Sequence, residues 1–391
     1  MMRRINILLT LLTLAACTAR VPLSVEVVRS EMVRCPEGSW LDGREGTLKW
    51  NYTTGLELKA FLDVYDTYGD RKIFDYVDAW YDAIIDEDGC IPNYKRTNYT
   101  VDHICPGRTL FRLYELTGKE KYRKVMDSLY VQIQEQPRTP EGGFWHKKIY
   151  PQQMWLDGLY MAQPFYALYT AQFVPEEQRA ANYADIVHQF CLIYDHTFDP
   201  ATGLLRHAWD SSHSMFWCDP ETGQSEHAWG RAMGWYAMAL VDVIPMLPEG
   251  EGRESLERLL NRVFTALPLF ADPATGMWYQ VLDRPGADGN YLEATASTMF
   301  AYALLKGTRL GLLEDITRSD ARRIFEAVLK CFVRTDVEGL LNLDSCCSVA
   351  GLGGKEMRRG DYDYYIGEPV VSNDPKGIGP LIWAALEYEM K

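Results

Sequence analysis

Positive charge is in short supply in this chain, with 40 Lys and Arg against 54 Asp and Glu and a formal net charge of −14. That balance argues against a polyanion-binding surface, so no nucleic-acid partner is expected, and an anionic ligand must be small and met by a local basic group. Metal-ligand spacing is missing too. The cysteines after Cys17 (Cys35, Cys90, Cys105, Cys191, Cys218, Cys331, Cys346 and Cys347) show no CxxC and no Cys/His pattern. Neither a zinc site nor a disulfide scaffold follows, and most of these thiols read as small buried hydrophobes, although an even count permits bridges in an oxidising compartment. "DEDG" (86–89) lacks the other ligands of a calcium loop, and "GLGG" (351–354) neither follows a strand nor fits a dinucleotide fingerprint. No cofactor and no metal are expected. Low-complexity runs and Pro/Ser linkers are absent, so residues 18–391 read as one domain.

The hydrophobic run at the N terminus, Ile5 to Leu14 behind Arg3 and Arg4, is too short to span a bilayer and reads as a secretory signal. Its ending, Leu14-Ala15-Ala16-Cys17, resembles a bacterial lipobox. On that reading residues 1–17 are a lipoprotein signal peptide, Cys17 is lipidated and starts the mature chain, and this anchor is the sole membrane contact. The following "TARVPLSVEVV" lacks the acidic cluster that resembles a surface-export tag, which favours a periplasm-facing anchor.

Strand-like alternation is scarce, and helical periodicity dominates. It predicts helices near 24–35, 54–68, 71–86, 103–117, 119–135, 155–172, 175–197, 228–245, 252–270, 292–309, 315–334 and 379–390. A weak repeat supports the pairing. "YDTYGDRKIF" (65–74) and "YELTGKEKYR" (114–123) each place a glycine that stops one helix just before the next begins, and "YALLKGTRLG" (302–311) echoes them. Short connections of this kind make antiparallel hairpins, and six in succession predict an all-α fold, an (α/α)6 barrel with alternate helices forming an inner ring. The longer connections at 86–102, 136–154, 198–227, 271–291 and 335–378 then gather at one rim.

These rim segments interleave Trp and Tyr with His, Asp, Arg and Gly. In "YPQQMWLDGLYMAQPF" (150–165), Asp157 is the one formal charge among sixteen residues. A lone carboxylate in buried helix is costly, and the usual escape is to stay protonated. A neutral acid beside aromatic surfaces suits acid catalysis on a sugar, while the plainer alternative is a core Asp satisfied by nearby donors. Asp102, in "TVDHICPGRTLFRLYEL", opens another helix, where an N-cap is the simple reading. One hairpin step separates the two, which puts both on inner helices facing one rim. A carboxylate pair across a pocket is the layout of glycosidic chemistry, although sequence cannot give its separation. Trp155, Trp209, Trp217, Trp229 and Trp235 are candidate platforms for sugar faces, or core. Arg231 opens a helix at the rim, where it either grips a substrate carboxylate or pairs with a nearby acid.

Taken in order, "GGFWHK", "YPQQMWLDGLYMAQPF", "HAWD", "HAWGRAMGWYAMAL", "YLEATASTMFAYALLKG" and "EPVVSNDPKGIGP" resemble glycoside hydrolase family 105, the unsaturated rhamnogalacturonyl hydrolases, relatives of the family 88 unsaturated glucuronyl hydrolases. The likeness runs from about Trp50 to the C terminus. It implies an (α/α)6 barrel, Asp157 as general acid/base, and Asp102 as a second aspartate that binds sugar hydroxyls and supports the first. It also implies that His146, Lys147, His207, Trp229, Arg231 and Trp235 line the pocket, with Tyr52 a looser match, and Trp155 is counted with them as a candidate sugar platform. Cys105 and Pro106 depart from the pattern, which bears on subsite detail. The implied substrate is a small oligosaccharide ending in an uronic acid with a C4=C5 bond, left by a polysaccharide lyase, and most often unsaturated galacturonyl-rhamnose. Galactose-linked unsaturated glucuronate and sulfated algal oligosaccharides are alternatives. So are an inverting glycosidase, a histidine-dependent epimerase and a non-catalytic sugar-binding lipoprotein.

Overall fold

The computed structural model describes residues 21–37 and 48–390, so the leader at 1–17 and Cys17 lie outside the described residues. The first helix is α1 (Leu23–Arg34). Five hairpins follow: α2 (Tyr52–Tyr68) with α3 (Arg71–Ile84), α4 (Gly107–Thr117) with α5 (Glu120–Glu135), α6 (Leu156–Phe173) with α7 (Glu176–Thr197), α8 (Gly230–Val243) with α9 (Glu251–Ala266), and α10 (Ala294–Arg309) with α11 (Arg318–Phe332). The short α12 (Tyr362–Gly367) precedes α13 (Pro375–Glu389).

Gly69 (φ 73°) and Gly118 (φ 67°) end α2 and α4 in the left-handed conformation, and their N–H groups donate to Tyr65 O and Tyr114 O. Without a Cβ the turn costs little, and each following helix starts almost at once.

Sequence composition separates the helices into two rings. Every residue of α8 is buried, as a helix enclosed on all sides requires. By contrast α3 buries one stripe, Ile73, Phe74, Val77, Trp80, Tyr81 and Ile84, spaced at three and four residues. The inner ring runs α2, α4, α6, α8, α10, α13 and closes through α13 against α2. This is the (α/α)6 barrel that the spacing predicts. One detail differs: the sixth pair is α13 with α1, so the first and last helices of the described residues close the toroid.

Inside the ring Asp242 accepts from Arg108 (2.8 Å), Lys306 (2.7 Å) and the Tyr302 hydroxyl (2.6 Å). Where α2 meets the start of α4, a Cβ on Gly55 would lie 2.5 Å from Pro106 Cα. The departure at Cys105 and Pro106 therefore sits against a matching glycine on the neighbouring helix.

Three two-stranded ladders decorate the barrel: β1 (Gln153–Trp155) with β2 (Ala208–Asp210), β3 (Val333–Thr335) with β4 (Leu341–Leu343), and β5 (Cys346–Cys347) with β6 (Val370–Val371), all antiparallel. The cysteines among the described residues are free thiols. Of these, Cys105, Cys346 and Cys347 are buried while Cys90 and Cys331 are exposed, so fewer are core than the sequence suggests.

Candidate active site

Because each hairpin is antiparallel, the inner helices run the same way and their N-terminal ends meet at one rim. A cavity of about 720 Å³ opens there, lined by Tyr52, Asp102, His146, Lys147, Trp155, Asp157 and Met161 together with residues of 348–350 and 371–376. Its size falls within the ~300–1,000 Å³ of small-molecule pockets.

Asp102 lies in a single tight turn (Val101–His103) ahead of α4. Val101 N–H donates to His146 O (3.1 Å), which fixes the 136–154 loop beside that turn. Lys147 Nζ then reaches Asp102 Oδ2 at 2.6 Å, and His146 Nε2 lies 3.3 Å from Oδ1. Burial opposes the charge on Asp102, but Lys147 and His146 overcome it and hold the carboxyl well below the usual carboxylate range. Burial likewise opposes the charge on Lys147, and Asp102 outweighs it, raising that ammonium above its ordinary value. Asp102 is an ionised anchor.

Asp157 sits in the first turn of α6. Its neighbour is placed by a short ladder: Trp155 pairs with Ala208 across β1 and β2, and Leu156 N–H donates to His207 O (3.1 Å). His207 Nε2 consequently lies 3.2 Å from Asp157 Oδ2. No lysine or arginine among the described residues forms an ion pair with Asp157. His207 Nδ1 is 2.7 Å from the Tyr365 hydroxyl. Trp155 lines the cavity with its ring parallel to His146 (centroids 4.6 Å) and Tyr150 (5.2 Å). Gly158 permits this crowding, since a Cβ there would stand 3.1 Å from His146 Nδ1.

Other expected residues sit behind this wall. His207 is fully buried and backs Asp157. Trp229 is tilted against His207 (4.8 Å) and stacked with Tyr365 (6.0 Å), and Trp235 lies against Tyr160 (5.0 Å) and edge-on to Tyr52 (6.3 Å). Trp209 stacks on His196 (3.7 Å), and Trp217 packs with Trp155, Ala208 and Leu352. Of the five candidate platforms, only Trp155 lines the cavity. The other four are buried elsewhere: Trp235 among inner helices, Trp229 against His207 and Tyr365, Trp209 against the outer helix α7, and Trp217 among rim segments.

Arg231 also takes its plainer alternative. It is 1% exposed, lies 3.6 Å from Glu293 Oε1, and donates to Cys347 O, Ser348 O and Thr295 Oγ1. Its guanidinium ties the 347–348 segment to α8 and α10 rather than lining the cavity. Arg358 and Lys49 do line it, and neither forms an ion pair with a carboxylate among the described residues. Arg358 donates to the Tyr150 hydroxyl (3.1 Å) and to the carbonyls of Gly353 and Leu352. Sequence reasoning missed both cations and Tyr365. The nearest signal was the unusual length of the 335–378 connection, which carries Arg358 and Tyr365.

The family model described as Glycosyl Hydrolase Family 88 matches residues 23–391. The chain belongs to this family. Within it, the chain is 44% identical to a family 105 glycoside hydrolase of C. acetobutylicum, whose solved structure covers 94% of this chain, is itself covered over 99%, and superposes with a TM-score of 0.88. Protein Atu3128 of Agrobacterium fabrum is 41% identical over 209 residues, 52% of this chain and 89% of that protein. The unsaturated glucuronyl hydrolase of Bacillus sp. GL1 shares the fold at a TM-score of 0.61 and 14% identity, covering 94% of this chain and 95% of its own. The family 88 and family 105 likeness read from the motifs therefore holds, and with it the (α/α)6 barrel of a glycoside hydrolase.

Proposed function

We propose that this glycoside hydrolase releases a terminal Δ4,5-unsaturated uronic acid from lyase-generated oligosaccharides by hydrating the C4=C5 vinyl ether. Unsaturated galacturonyl-rhamnose is the favoured substrate. The observation that carries the reading is the unlike surroundings of the two carboxylates in one cavity. Asp102 is tied to Lys147 and His146, while the ion-pair partner of Asp157 among the described residues is an imidazole. A site whose environments separate two acids assigns them different work.

In this scheme protonated Asp157 gives its proton to C4, and electron density from the ring oxygen stabilises the cation developing at C5. Water adds at C5 and passes its proton to the Asp157 carboxylate, which restores the acid. The resulting hemiketal opens to a C5 ketone, C1 becomes a hemiacetal, and its collapse expels the neighbouring sugar. No nucleophile attacks C1, so Asp102 need not act as a second acid or base and serves to bind hydroxyl groups. Arg358 is the side chain suited to the uronate carboxylate, because its charge is unmatched and its planar guanidinium accommodates two oxygens. The inner-helix N-termini around the cavity add partial positive charge for the same anion.

The names of relatives support the reading: one is a family 105 hydrolase, and another is an unsaturated glucuronyl hydrolase responsible for glycosaminoglycan degradation. The test is a set of lyase-generated disaccharides followed by loss of ultraviolet absorbance, with their saturated counterparts alongside. Turnover of the unsaturated members alone supports the scheme, and hydrolysis of both overturns it. We also propose that Cys17 carries a lipid that tethers the enzyme in the cell envelope on the periplasmic side. Mass spectrometry of the mature N-terminal peptide checks the lipid, and protease accessibility in intact cells checks the side.

A further inference from the structure

Asp157 Oδ2 and His207 Nε2 are both fully buried, and neither has a well-aligned hydrogen-bond partner. They stand 3.2 Å apart, so among the described residues each is the other's ion-pair partner. Buried polar atoms are satisfied in nearly all folded proteins, and catalytic hydrogen bonds often align only when substrate is bound. With Oδ2 buried, Oδ1 is the oxygen left to face the cavity. The second nitrogen of His207 has one partner, the Tyr365 hydroxyl at 2.7 Å.

We propose that Tyr365 is a positioning residue that fixes the tautomer of His207, and through it decides which oxygen of Asp157 carries the catalytic proton. The inference rests on the hydration scheme for its catalytic consequence. Its structural content does not depend on that scheme.

The physical argument concerns where one hydrogen sits. A neutral imidazole has one N–H, and the bond made by one nitrogen selects the role of the other. When the Tyr365 hydroxyl donates to Nδ1, the hydrogen resides on Nε2 and points at Oδ2. Oδ2 is then an acceptor, and the acid proton of Asp157 belongs on Oδ1, toward the alkene. After transfer to C4 the same N–H steadies the new carboxylate, so the relay serves both halves of the cycle without moving. In the opposite tautomer the bare Nε2 faces Oδ2. That arrangement either repels the carboxylate or draws the acid proton onto Oδ2, away from the substrate.

The groups around this relay are few. His207 meets Asp157 from α6 and Tyr365 from α12, with the rings of Trp155 and Trp229 on its flanks. Tyr365 has Tyr364, Asp283 and Cys347 nearby. Asp283 is itself engaged by His227 (2.9 Å) and Arg206 (3.2 Å), and Cys347 lies beside Arg231 and Glu293. Among the described residues Asp157 is thus the one carboxylate ion-paired with the His207 ring.

The experiment is nitrogen-15 NMR of the histidines in the full chain without substrate, joined to kinetics of Tyr365→Phe. The wild-type His207 signal is expected to show protonated Nε2 and bare Nδ1, and Tyr365→Phe is expected to shift it toward protonated Nδ1. On the unsaturated disaccharide that turns over, kcat is expected to fall ~10- to 100-fold with little change in KM, the range seen when the partner orienting a functional histidine is lost. The basic limb of the pH–rate profile, where a general acid loses its proton, should move with it. In a His207→Gln background, which offers an N–H without a tautomer, adding Tyr365→Phe should cost no further rate. A wild-type spectrum with protonated Nδ1 overturns the proposal whatever the substrate proves to be. So does a folded Tyr365→Phe enzyme with unaltered kcat. Failure of the hydration scheme alone leaves the tautomer result standing, so the two are distinguishable.

Discussion

Lys147 Nζ lies 2.6 Å from Asp102 Oδ2 in the cavity wall, and no lysine or arginine among the described residues pairs with Asp157. Burial raises the Asp102 carboxyl, and Lys147 with His146 more than reverses it, leaving the group ionised at any physiological pH. Replacing the cation tests this. In Lys147→Met the Asp102 carboxyl should rise toward the ordinary carboxylate range, so activity on the acid limb should fail at higher pH than in wild type. Because the native value is depressed, its contribution to stability is present above the unfolded value and is lost as pH falls. The variant should therefore lose less stability on acidification than the parent, which urea melts across the acid range will show.

Arg358→Gln addresses the uronate carboxylate. Loss of a charge-assisted hydrogen bond worth ~1.5–3 kcal/mol should raise KM by about ten-fold or more while kcat changes little. Steady-state kinetics on the unsaturated disaccharide decide it. A large fall in kcat at constant KM would place Arg358 in the chemistry instead.

Gly55→Ala tests the packing between α2 and the start of α4. The added methyl would meet Pro106 Cα at 2.5 Å, so backbone must shift. Overpacking of this kind costs about 1–3 kcal/mol and should lower the urea midpoint.

Asp242→Asn should be more damaging. It leaves Arg108 and Lys306 without their shared carboxylate inside the barrel, a loss of about 3–5 kcal/mol for a broken buried pair. Burial raises the Asp242 carboxyl, yet Lys306 and Arg108 hold it well below the usual range, so stability falls as the parent is acidified. The variant's thermal midpoint should be lower at neutral pH and less sensitive to acid.

What the sequence makes legible is local. Gly69 and Gly118 announce hairpins because a left-handed turn is decided by the residue that makes it. Asp157 stands out because its neighbours in the chain are apolar. Contacts made across the fold are different. Tyr365 meets His207 across 158 residues, and no periodicity carries that pairing. Arg231 looks free from its flanking residues, but Glu293 and the carbonyls of 347–348 arrive from other elements. The tryptophans mislead for a related reason: indoles suit both a sugar face and a tight core, and only the closed ring shows that Trp209, Trp217, Trp229 and Trp235 lie behind the wall.

The most direct measurement is the ultraviolet absorbance of the conjugated alkene during turnover of one unsaturated disaccharide by wild type and by Asp157→Asn. Wild type should bleach the chromophore in step with release of the neighbouring sugar. The variant should bind the disaccharide yet lose about 10²- to 10⁴-fold in rate, the span of a removed general acid. Sugar release that leaves the chromophore intact, or an Asp157→Asn enzyme that bleaches it at the wild-type rate, would contradict proton transfer from Asp157 to the alkene.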